Sequence, residues 1–125
     1  MAQTLSLTTV QAVIARTVST GIHDRGRIER AATLVILGAV EQVTATTYTV
    51  RSQFKPHQTY TVTPDGCTCV DASRNPAQRC KHDIAVRILL SAERDESQAR
   101  EQAFRSRVNA DAVALAHAAA ARRAA

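Results

Sequence analysis

Apolar residues in the first third of the chain recur at helical spacing. In the first stretch they stand three and four residues apart, as on one helix face: Val10, Val13, Ile14 and Val18. Thr8 followed by Gln11 has the spacing of a capping box. A second apolar stretch spans residues 25–37 and precedes Gly38, a residue type that often follows a helix C-terminus. These patterns predict two helices, separated near Gly21.

Between residues 39 and 62 the apolar period changes from 3.6 to two, and β-branched residues dominate. The pattern predicts short strands at residues 40–43, 48–51 and 58–62, followed by a turn at residues 64–66. Alternate positions are polar, so one face of the antiparallel sheet is expected to be wet. The expected core side chains of the sheet are Tyr48, Val50, Tyr60 and Val62.

The chain becomes helical again after Cys80. An apolar stripe predicts the buried face of this helix: Ile84, Ala85, Ile88 and Leu89. From Ser91 to Ala125 the sequence is charged and rich in alanine, and Glu101 with Arg105 has the favourable four-residue spacing. We therefore expect a long solvated helix that frays over residues 118–125.

Composition adds a constraint on stability. The 125 residues are 45% hydrophobic, but only 3% are aromatic, with no tryptophan. A small domain with so few aromatic side chains has a thin core and needs a further stabilising element. No signal peptide is visible, and the longest apolar stretch is far shorter than the roughly 20 residues that span a bilayer. We expect a cytoplasmic protein with reduced thiols and no membrane association.

All three cysteines lie in one segment. Cys67 and Cys69 are separated by one residue, and ten residues later Cys80 stands two positions before His82. Three thiolates and one imidazole form a complete tetrahedral zinc shell. Residues two apart in a strand share a face, whereas in a helix they diverge, so Cys80 should precede a helix and His82 should lie in its first turn. These four residues are the predicted ligands of one structural Zn²⁺.

The same residues admit three other interpretations: buried cysteines with a surface histidine, a redox pair of Cys67 and Cys69, or a catalytic dyad of Cys80 and His82. The usual redox spacing has two intervening residues. Four protein ligands leave no open position for water, which indicates a structural site and a protein that is not an enzyme.

This arrangement resembles the SWIM-type zinc finger, as found in small bacterial or phage-like proteins, whose pattern is Cys-x-Cys followed by Cys-x-His. The similarity extends to the strand Tyr60-Thr61-Val62 that leads into Gly66-Cys67, to Asp71, and to the apolar helix that follows Cys80-Lys81-His82. Ala72 stands where the family tends to carry an aromatic residue. The resemblance implies a module that binds DNA or protein and suggests three regions: an N-terminal helix (1–24), a SWIM-like domain (25–92) and a helical tail (93–125). The fold class expected is α+β, with N-terminal helices, a short antiparallel hairpin sheet, a zinc knuckle and a long C-terminal helix.

The leading hypothesis for function is DNA binding. The formal net charge is +5, and basic side chains near the finger are candidates for contacts with phosphates: Arg51, Lys55, Arg74, Arg79, Lys81 and Arg87. Three aspartates lie among them, which also fits an ordinary solvated surface. A single-strand stacking platform is disfavoured because the chain has only four aromatic residues.

The alternative function is a protein–protein adaptor. On this hypothesis the finger and the tail dock onto a protein partner, and a weak apolar stripe of the tail makes the contact: Val108, Ala112, Leu115 and Ala119. The sequence leaves the oligomeric state open.

Overall fold

The computed structural model describes residues 5–55 and 57–124 and has the predicted α+β fold. Its four helices are α1 (Leu7–Thr20), α2 (Arg25–Ile36), α3 (Val70–Arg74) and α4 (Lys81–Ala124). The short helix α3 lies between the two pairs of predicted ligands and was not anticipated. Helix α4 continues to Ala124, so the fraying expected in the last residues is not seen in the part of the tail that is described.

A four-stranded antiparallel sheet follows the first two helices. Its strands are β1 (Val40–Gln42), β2 (Tyr48–Arg51), β3 (Thr59–Thr63) and β4 (Gly66–Cys67), and they are ordered β1-β2-β3-β4. The predicted strands correspond to the first three. The fourth forms because a two-residue turn after Thr63 folds the chain back, which pairs Thr63 with Gly66.

The helix ends follow local chemistry, with one departure from the prediction. The Asp24 carboxylate accepts a hydrogen bond from the Arg27 N–H at 3.1 Å and caps α2. Gly38 follows that helix with a φ of 69°, the left-handed conformation that glycine adopts most easily. The capping box predicted at Thr8 is wrong, because the N-cap is Ser6, two residues earlier, and α1 begins at Leu7.

One hydrophobic core joins α1, α2, the sheet and the first turns of α4. Its largest fully buried side chains are Ile28, Leu34, Ile84, Ile88, Val50 and Cys80. Tyr48 is the one aromatic member of the core cluster among the described residues. Tyr60 was expected in this core but is half-buried, with its ring against His82. The core is therefore aliphatic, and a predicted metal ligand belongs to its most buried set.

The chain divides into two compact units, residues 1–93 and residues 94–125. The first unit contains the core and the cysteine segment. In the second unit, which is helical, almost all described side chains are exposed. None of the described helices is both long enough and apolar enough to cross a membrane.

Candidate metal centre

The four predicted ligands lie at or beside the ends of three elements, β4, α3 and α4. Cys67 ends β4, and Cys69 is the N-cap of α3 with an extended backbone (φ −74°, ψ 162°). Cys80 immediately precedes α4, and His82 lies in its first turn, as the spacing predicted. The turn before β4 and the loop after α3 thus bring two distant pairs of residues to one place.

The donor atoms of these residues form a compact group. The three sulfurs and one ring nitrogen of His82 all lie within 4.8 Å of one another. Cys69, Cys80 and His82 are 4%, 1% and 4% exposed, and Cys67 is half-buried. Three thiols and an imidazole, gathered and withdrawn from water in this way, can hold one metal ion.

The surroundings of the His82 ring nitrogens indicate whether the site fits a metal ion. Both of its ring nitrogens are buried, and neither has a hydrogen-bond partner among the described residues. Buried polar atoms in folded proteins almost always have a partner, so an orphaned imidazole in the interior is unusual. A metal ion bound by the three sulfurs and the imidazole gives one of these nitrogens the partner that the protein does not supply.

Two of the sulfurs occupy the position of a helix cap. Cys69 Sγ accepts the Ala72 N–H at 3.3 Å, and Cys80 Sγ accepts the Asp83 N–H at 3.4 Å. In both cases the donor lies three residues after the cysteine, as in an ordinary N-cap. Because free N–H groups at a helix start favour negative charge, both positions stabilise thiolates.

The thiols do not ionise independently. The interaction between the Cys67 thiol and the Cys80 sulfur lowers the pKa of Cys80 to about 3 and raises the pKa of Cys67. Burial raises the pKa of Cys69. The protein alone therefore favours one thiolate, and the other two sulfurs need a nearby cation to lose their protons.

Arg27 of α2 contacts two segments that carry predicted metal ligands. Its guanidinium contacts the Asp71 carboxylate at 3.0 and 3.1 Å and donates to the Arg79 carbonyl at 3.1 Å. Asp71 lies two residues after Cys69, and Arg79 is the residue before Cys80. Nothing local in the sequence indicates this partner of Arg27.

Half of the basic residues predicted to bind nucleic acid are engaged within the protein. Arg79 and Arg87 both pair with Asp83, at 3.0 and 3.1 Å. Arg51 donates to the Gly38 carbonyl at 3.4 Å. These interactions leave fewer free cations than the sequence suggested.

The other three predicted residues have no carboxylate partner. Within residues 5–55 and 57–124, no ion pair involves Lys55, Arg74 or Lys81. The Lys81 ammonium lies 5.4 Å from the centre of the Phe54 ring, in a cation–π contact.

A groove of about 350 Å³ lies beside the metal centre. Its lining includes Arg30, Phe54, Lys55, Tyr60, Lys81 and His82. Phe54 and Tyr60 were not predicted as members of a site. The adjacent pair Phe54-Lys55, an aromatic beside a cation between two strands, was the one local signal.

No protein-family model, curated protein or solved structure matches the chain. The Cys₃His group is consistent with a zinc finger, and its capacity for a metal rests on the side chains themselves.

Proposed function

We propose that this protein is a binding module in which Cys67, Cys69, Cys80 and His82 hold one structural Zn²⁺, and that its basic surface binds nucleic acid. The observation that carries the metal assignment is the gathering of all three cysteines with a buried, otherwise unpartnered histidine. The nucleic-acid assignment is supported by the charge of the chain and by its unpaired cations.

Zinc is the metal that suits this donor set. Thiolates and imidazole together favour zinc over the harder divalent cations, which prefer oxygen ligands. Four protein donors complete a tetrahedral shell and leave no position for a substrate or a reactive water. We therefore assign the metal a structural role and propose no catalytic activity.

The zinc would compensate for the thin core. Cys67, Cys69 and Cys80 lie on three different elements, so one ion cross-links β4, α3 and α4. Ile84, the first buried aliphatic residue of α4, follows Cys80 by four positions and packs in the core. A zinc ion that holds Cys80 in position would therefore also direct the buried face of α4 toward the core.

Metal content tests the first part of the proposal. Protein purified from zinc-supplemented cells should contain about one zinc per chain, and cobalt substitution should give the absorption bands of a tetrahedral thiolate site. His82→Asn should lose most of the metal. The matched control His57→Asn changes an exposed histidine and should keep it. A wild-type protein that binds no zinc would overturn the assignment.

Nucleic-acid binding is tested by fluorescence anisotropy with labelled DNA at two salt concentrations. Contacts from Lys and Arg to phosphates should make the affinity fall steeply as salt rises. Absence of binding to duplex and single-stranded DNA at low salt would overturn this part of the proposal and leave the zinc assignment intact.

A second candidate function, a protein adaptor, has one observation in its favour. Phe104, Val108 and Leu115 of the tail are exposed and fall within a narrow arc of the helix surface. A pull-down with nuclease treatment distinguishes the two functions. A protein captured by the full chain after nuclease treatment, but not by a chain lacking residues 94–125, would support the adaptor.

A further inference from the structure

We infer that the groove beside the metal centre is a subsite for an unpaired nucleotide of a single strand. In this subsite the cations hold the phosphate and the aromatic rings receive the base. The inference rests on the proposed nucleic-acid function and specifies that this surface binds single-stranded nucleic acid.

The charge of the groove fits a phosphate. Arg30, Lys55 and Lys81 line it, and no carboxylate pairs with any of them in the described part of the chain. The one acidic side chain of the lining, Asp71, is held by Arg27 at 3.0 Å. Three cations from separate elements thus face one cavity in which the only carboxylate is already neutralised, a distribution that attracts an anion.

The aromatic residues of the groove fit a base. Phe54 is 78% exposed and lines the groove. Lys81 approaches one face of the ring. Tyr60, half-buried, lines the same groove. An exposed ring beside unpaired cations is the arrangement with which proteins bind single strands, because every base can stack on it whatever the sequence.

The same geometry disfavours a duplex. In a double helix the flat faces of the bases are covered by their neighbours, so an exposed ring can stack only on an unpaired base. Composition alone predicts the opposite, because four aromatic residues in the whole chain are few for a stacking platform. Two of those four lie in this one groove, and their placement matters more than their number.

The groove also shares residues with the metal centre. The Tyr60 and His82 rings lie 4.4 Å apart, and both line the cavity together with Cys69. The subsite should therefore be studied in the zinc-loaded protein, and its variants should spare the ligands.

The test measures binding of zinc-loaded full-length protein to a fluorescein-labelled oligothymidylate and to a duplex of equal length. Phe54→Leu should weaken single-strand binding about tenfold through the loss of stacking. Phe104→Leu, at an exposed phenylalanine of the tail, is the matched control and should bind like wild type. The double variant Arg30→Gln/Lys55→Gln should reduce the steepness of the log–log salt dependence by about 0.7 for each contact removed.

A second control removes the same charge elsewhere. Arg25→Gln/Arg105→Gln changes two cations in exposed ion pairs and should leave the salt dependence close to that of wild type. Equal melting temperatures of the variants establish that the fold is intact.

The outcomes separate the inference from the proposed function. Single-strand binding that is tighter than duplex binding and sensitive to Phe54 supports the subsite. Duplex binding as tight as single-strand binding, with Phe54→Leu unchanged, overturns the subsite while nucleic-acid binding stands. Binding of free thymidine monophosphate as tight as that of the oligonucleotide would also overturn it, because the ligand would then be a free nucleotide. If neither DNA binds at low salt, the proposed function fails as well.

Discussion

Replacement of Arg27 by glutamine should destabilise the first unit and loosen the metal centre. The guanidinium makes two contacts with the Asp71 carboxylate and one with the Arg79 carbonyl, at 3.0–3.1 Å. Glutamine is neutral and too short to bridge both partners. Because those partners flank Cys69 and Cys80, the change releases the two segments that carry these ligands.

The size of the effect follows from burial. A hydrogen bond to a charged group contributes about 1.5–3 kcal/mol to stability. The side chain of Arg27 is 14% exposed, but that of Asp71 is 39% exposed, so water screens part of the attraction. We therefore expect a loss of about 2 kcal/mol, or about 10 °C in melting temperature for a unit of this size. Loss of an outer contact of a metal site also lowers metal affinity, by about tenfold.

Thermal unfolding of the zinc-loaded protein should be followed at the sheet, by amide resonances of residues 48–51, because the tail helix dominates circular dichroism. Zinc affinity is measured by competition with a chelator. Arg25→Gln is the matched control: its contact with Glu29 is 3.4 Å long and joins side chains that are 79% and 68% exposed. Such a surface pair contributes at most about 0.5 kcal/mol.

Arg27→Lys keeps the charge without the planar fork and should fall between wild type and Arg27→Gln. An Arg27→Gln protein that melts and binds zinc like Arg25→Gln would refute this role of Arg27.

Further predictions concern the metal, the core and pH. Removal of zinc by a strong chelator should abolish the cooperative melting transition of the first unit. A structural zinc contributes about 10–16 kcal/mol in finger peptides, whereas a small domain has about 5–15 kcal/mol of net stability. An unchanged transition would contradict this prediction. Ile84→Ala should cost about 2–5 kcal/mol in a denaturant titration, since Ile84 is 1% exposed. Leu90→Ala, at an exposed position of the same helix, should cost far less, and equal losses would argue against the described core. Burial, with Arg79 and Arg87 nearby, lowers the pKa of His23, so the unfolded chain binds more protons just below pH 6.5 and stability should rise with pH there. His23→Gln should flatten that rise in melting temperature, and an identical pH profile would contradict the shift.

Much of the secondary structure could be predicted because its causes are local. The apolar period changes from 3.6 to two near Ala39, where the sheet follows α2, and it returns to 3.6 after Cys80, where α4 begins. Gly38 has the left-handed φ that its place after α2 predicted. The cap of α1 was misassigned because Ser6 and Thr8 are both acceptable cap residues, and the choice depends on how the helix packs.

The sequence by itself determined the α+β class and the set of candidate ligands, since periodicity and cysteine spacing act over a few residues. Only the tertiary structure decided which side chains far apart in the sequence meet. Arg27 meets Asp71 across 44 positions, and Phe54 meets Lys81 across two strands and one short helix. The physical reason is that ion pairs and grooves form between side chains that packing brings together. The composition states how many charged and aromatic residues the chain has, but only the folded structure shows which of them are in contact.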